Sequence, residues 1–84
     1  MSKVIDIDVR DLPAPEPLEV IVNALGALEM GSYIKMIHRQ IPNMLLPILK
    51  NNGFKWIIRD LQDEVRVYIY IKTDKEIEKE LGNV

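Results

Sequence analysis

The sequence predicts an α+β domain in which four strands form a mixed sheet and two helices cover one of its faces, in the order β-α-β-α-β-β. Three observations lead there. Four segments alternate apolar and polar residues, two others space apolar residues by three and four, and proline or glycine clusters separate them. At 84 residues, 48% apolar and without cysteine, the chain is one small domain with no disulfide to support it. Folding should bury about 60–65% of the surface that the unfolded chain exposes, so either every element packs on one core or the protein dimerises.

The first strand runs from Val4 to Val9, with Ile5, Ile7 and Val9 on one side and Asp6 and Asp8 on the other. Arg10 to Pro17 holds three of the five prolines and reads as a stiff, extended loop, because each X-Pro step pushes the preceding residue away from helix. Pro17 suits the first helical position, and Glu16 and Glu19 favour the positive end of the helix. Leu18, Ile21, Val22, Leu25 and Leu28 then give about three amphipathic turns, closed by Glu29-Met30-Gly31-Ser32. Tyr33 to His38 alternates again as a second strand, and Arg39-Gln40-Ile41-Pro42 repeats the design of the first loop. Met44, Leu45, Ile48 and Leu49 give the second helix its apolar face, and Asn51-Asn52-Gly53 stops it. Pro47 removes a backbone donor there, so this helix is kinked or starts late. Phe54, Trp56 and Ile58 mark a third strand, and Val65, Val67, Ile69 and Ile71 mark a fourth that forms a hairpin with it. Residues 1–72 thus make the domain. Residues 73–84 have helical propensity but only Ile77 and Leu81 to bury, and read as a helical or disordered C-terminal tail, frayed or dependent on a partner.

The composition excludes several kinds of chemistry. Without cysteine there is no thiol nucleophile, persulfide or thiolate metal site. A net charge of −2 disfavours nucleic acid, whose binders usually carry an excess of Lys and Arg. No apolar stretch approaches the ~18–20 residues of a membrane span, and acids interrupt the first apolar residues before a signal-peptide core forms, so a cytoplasmic location is expected.

Residues Asp8-Val9-Arg10-Asp11-Leu12-Pro13-Ala14-Pro15-Glu16-Pro17-Leu18 resemble the opening of the TusA-like (SirA-like) sulfur-carrier family, Asp-x-Arg-Gly-Leu-x-Cys-Pro-x-Pro-Leu, without a gap. Ala14 stands where that family has its cysteine. A cysteine-free branch of unknown function, found beside hemerythrin-like or cupin-like modules, is more similar still. Its second loop reads Asn-Asp-His-Asp-Pro-x-Pro-Leu, and Pro42 and Leu45 agree with it while Gln40 replaces the histidine. The resemblance covers Val4 to Lys72 and implies a two-layer α/β sandwich of the order given above. It does not carry sulfur transfer, since Ala14 has no thiol to activate.

The candidate ligand or partner site therefore comprises Arg10, Asp11, Ala14, Pro15, Glu16, Pro17, His38, Gln40 and Pro42, in the loops that precede the two helices. Arg10 offers a planar fork to an anion, the first-helix N–H groups beyond Ala14 offer donors, and His38 or Gln40 closes the site. The bland alternative makes the arginine and aspartate a turn brace and the prolines a mere helix entry. His38 is the one histidine, with no His-x-x-His or carboxylate spacing around it, so no metal or other cofactor and no catalytic residue is expected. Met36 and Met44 read as packing. A binding module for a small anion or a protein partner is thus the first expectation. The second is an accessory protein of respiratory, nitrogen-oxide or sulfur metabolism that dimerises through its open sheet face, where Lys55, Ile57, Tyr68 and Tyr70 fall together with Lys35, Ile37, Arg59, Arg66 and Lys72.

Overall fold

A computed structural model describes residues 2–84. Its elements are β1 (Lys3–Asp8), α1 (Glu16–Leu25), β2 (Ser32–His38), α2 (Leu45–Asn51), β3 (Phe54–Asp60), β4 (Val65–Ile71) and α3 (Lys75–Glu80), followed by a 3₁₀ turn at Leu81–Asn83. The sheet order is β1-β2-β4-β3, with β1 parallel to β2 and β4 antiparallel to both its neighbours. The α+β class, the mixed four-stranded sheet and the element order agree with the sequence reading.

Alternation on the strands sorts their side chains between two faces. Ile34, Met36, Val67 and Ile69 meet Ile21 and Leu25 of α1 and Leu45 and Leu49 of α2 in the main core. Helix α1 ends earlier than its apolar spacing suggests. Gly26 costs about 1 kcal/mol inside a helix relative to alanine, so the chain turns there, and Leu28 packs on the core from outside the helix. Helix α2 starts late, which places Pro47 third in the helix, where its missing N–H has no intrahelical acceptor to lose. Gly53, at φ +82°, then turns the chain into β3 in a conformation that side chains resist.

The largest departure is at the C-terminus. Rather than fraying, the tail forms α3 and lies on the second face of the sheet, where Ile77 and Leu81 are buried with Tyr68 and Tyr70, and Tyr33 and Ile57 flank them. The buried Asp74 caps this helix by accepting from the Ile77 N–H at 3.2 Å, and it accepts from the Gly31 N–H at 2.7 Å, which ties α3 to the turn before β2. Glu78 accepts from the Lys55 ammonium and the Tyr70 hydroxyl, both at 3.1 Å. The expected open aromatic face is therefore closed by the chain itself: Tyr68 and Tyr70 are core residues and not an exposed stacking or dimer surface. A short third layer is added to the two foreseen.

Candidate functional site

Strand β4 runs antiparallel to β2 and to β3, so β1, β2 and β3 all finish at one end of the sheet. The loops after β1 and β2 leave from that end side by side, held by a bond from the Val9 N–H to the Ile37 carbonyl at 2.9 Å. Between them, with Asp60 at the end of β3 and Val65 at the start of β4, lies a cleft of about 650 Å³. Such a crevice at the carboxyl ends of strands is where open α/β sheets ordinarily take ligands.

The walls are mostly apolar. Leu12, Leu18, Met36, Ile41 and Val65 line the cleft, and Met44 stands on it with 77% of its surface exposed. The predicted Ala14, Pro15, Pro17, His38, Gln40 and Pro42 line it too, so the two loops converge as the motifs suggested. The Ala14–Pro15 peptide is cis. Polar character comes from His38, Arg39, Gln40, Asn43 and Asp60. The described residues contain no group of three or more His, Asp or Glu that can hold a metal ion.

Three predicted residues stand apart. Glu16 is exposed and lines no part of the cleft. Arg10 does not line the cleft either: its Nε and Nη2 donate to the Asp8 carboxylate at 2.8–3.2 Å, and Nη1 lies 3.8 Å from Glu64. These bonds hold Asp8 below the ordinary carboxylate range and Arg10 above its own, so its fork is already filled. Glu64 also accepts from Arg66 at 2.6 Å, which makes Asp8, Arg10, Glu64 and Arg66 one ion network joining the end of β1 to the start of β4. Asp11 pairs not with Arg10 but with Arg39, at 3.4 Å across the two loops. Arg10, Asp11, Arg39 and Asp63 line a polar depression that adjoins the cleft at Arg39.

The helix entry supplies fewer donors than expected. Pro15 and Pro17 have no N–H, and that of Glu16 donates to the Pro13 carbonyl at 3.0 Å, which leaves the Leu18 amide. His38 is half-buried, and its Nδ1 accepts from the Arg39 N–H at 2.7 Å. Loss of solvent lowers its pKa, so at neutral pH the ring is uncharged with its proton on Nε2. Sequence reasoning missed Arg39 and Met36 as lining residues. Both had a signal, since Arg39 sits between two chosen residues and Met36 shares the strand face of His38 two positions earlier.

Residues 6–72 match a family described as an uncharacterized conserved protein, DUF2249. The match begins within β1, takes in both loops and strands β2, β3 and β4, and stops before α3. No curated protein and no solved structure matches the chain.

Proposed function

The chain belongs to the DUF2249 family of uncharacterized conserved proteins, and within that family we propose that it is a non-catalytic binding module that takes a small molecule in the cleft between its two proline-rich loops. One observation carries the reading: both loops, though 28 residues apart at the Asp11–Arg39 pair, are brought together around a largely apolar concavity of ligand size. Its lack of catalysis is supported by His38, whose Nδ1 meets a backbone N–H instead of an orienting carboxylate. We also read the frame as that of a cysteine-less relative of the TusA-like sulfur carriers. The ungapped register of Asp8 to Leu18 supports this, and Ala14, at the thiol position of that family, lines the cleft.

Nothing in the fold favours the alternative accessory role through an open sheet face, since α3 occupies that face. A ¹⁵N–¹H correlation spectrum titrated with a mixture of small organic anions and neutral amphiphiles tests the reading. Shifts should gather on Leu12–Leu18 and His38–Leu45. Shifts gathered on Lys55–Lys72, or none, would overturn it.

A further inference from the structure

We infer that the cleft selects a singly charged carboxylate with an apolar body, and that Arg39 reads the carboxylate by exchanging Asp11 for it. The inference rests on the cleft being the binding site. Two arginines, Arg10 and Arg39, line the polar depression beside it, and their surroundings differ. Arg10 spends its fork on Asp8 and Glu64. Arg39 has one long contact, Nη2 to Asp11 at 3.4 Å, between side chains that are 70% and 95% exposed. An ion pair that long and that wet is weakly held, so a better-placed anion can displace it. A guanidinium prefers two parallel bonds to a planar carboxylate, which its single bond to Asp11 does not provide.

Position agrees with chemistry. Arg39 is the one cation lining the cleft among the described residues, and it also lines the polar depression, so it sits where the apolar cavity gives way to charge. A ligand with its body against Leu18, Met36 and Met44 would carry its head group out to Arg39. The number of charges on that head is limited by the neighbours. Asp60 lines the same cleft, and Asp11 and Asp63 line the adjoining depression, so three carboxylates stand at this rim against Arg39 and an Arg10 already bonded to Asp8. A monoanion adds one negative charge beside these carboxylates, whereas a phosphate dianion adds two and is repelled about twice as strongly. His38, uncharged, and the amides Gln40 and Asn43 add hydrogen bonds without adding charge. A volume of about 650 Å³ admits a chain or ring system well beyond the size of acetate.

The test compares octanoate, octanol and octyl phosphate on the intact protein, each titrated by ¹⁵N–¹H correlation spectra at pH 7. Octanoate should bind most tightly, ahead of octyl phosphate. Arg39→Gln should weaken octanoate about tenfold and leave octanol unchanged. Arg10→Gln should leave both unchanged. Asp11→Asn should tighten octanoate about two- to threefold, because it frees Arg39. Octanol binding as well as octanoate, octyl phosphate binding better than octanoate, or an Asp11→Asn variant that binds octanoate less well would each overturn the inference while leaving the cleft as a binding site. If no probe moves the cleft resonances, the binding-site reading falls as well. The substituted side chains of Arg39 and Asp11 are exposed, so the variants keep the fold, which their spectra verify directly.

Discussion

His38 and Arg10 show how far a residue's type is from its role. Both were singled out for what imidazole and guanidinium can do, and surroundings decided otherwise for one of them: a carboxylate two residues back takes the Arg10 fork, while His38 faces the cleft. The Asp-x-Arg spacing of Asp8 and Arg10 was visible in the sequence, but whether the side chains turn to each other or outward depends on χ angles that no motif encodes. The loop prolines were more legible, because they restrict the backbone itself. His38 yields a pH prediction. Burial lowers its pKa in the folded protein below the unfolded value of 6.5, so the unfolded chain binds more protons through that window. Stability should therefore be full above pH 6.5 and fall as the pH drops through it. With one histidine in the chain, no other side chain titrates between pH 5.5 and 7.5 at its ordinary value. Urea midpoints measured across that interval should decline toward acid in the natural protein and stay level in His38→Gln. A slope that persists in the variant would show that the histidine environment is not its source.

Elements with many apolar positions are legible in the sequence, whereas α3 is legible as a helix but not as part of the core. Strands β1 to β4 each carry at least three apolar residues, with Ile5 and Ile7, Ile34 and Met36, Phe54, Trp56 and Ile58, and Val65, Val67, Ile69 and Ile71 in alternation, whereas α3 and the turn after it offer only Ile77 and Leu81. Alone, six residues cannot sustain a helix. What sustains α3 is non-local: a cap from Asp74 that also holds Gly31, a Glu78 carboxylate shared by Lys55 and Tyr70, and a patch of Tyr68 and Tyr70 waiting on the sheet. The i, i+4 spacing of Ile77 and Leu81 and an aspartate three residues before Ile77 were the available signals. Two consequences belong to this element. Leu81→Ala should cost about 2 kcal/mol in urea unfolding, at the low end for a buried leucine because the short C-terminal segment that carries it can settle into the space left, and should raise amide exchange across α3 before the sheet. Glu78 is held below the ordinary carboxylate range by its bonds to Lys55 and Tyr70, so its contribution is complete above pH 4.5 and lost as the pH falls through its lowered value. Exchange protection of α3 should drop on that acid limb, and Glu78→Gln should show the weaker protection already at pH 7 and lose no more of it on the acid limb. Equal protection in both proteins at pH 7 would mean that the shared carboxylate does not hold the helix.

At the scale of the whole molecule, the insertion of β4 between β2 and β3 decides where the site is. It sets β1, β2 and β3 running the same way, so both proline-rich loops, the end of β3 and the start of β4 share one rim. The hairpin of β3 and β4 was readable from neighbouring alternation, but the pairing of β4 with β2 brings together residues more than 25 positions apart and follows from core packing, not local pattern. The same packing bears on oligomeric state. An 84-residue domain with a bare aromatic sheet face has reason to dimerise, and with α3 seated on that face the reason is gone. Strand β1, at one sheet edge, carries Lys3, Asp6 and Asp8, all exposed charges that discourage edge pairing. We therefore expect sedimentation equilibrium to return the 9.7 kDa monomer from micromolar to millimolar concentration. Leu81→Asp, which puts a charge under α3 and lifts it from Tyr68 and Tyr70, should then self-associate with increasing concentration while keeping its sheet by circular dichroism. A natural protein that is already dimeric at micromolar concentration would place the interface elsewhere, on an edge strand or the outer side of α1. A Leu81→Asp variant that stays monomeric would show that the covered face has no affinity for its own copy.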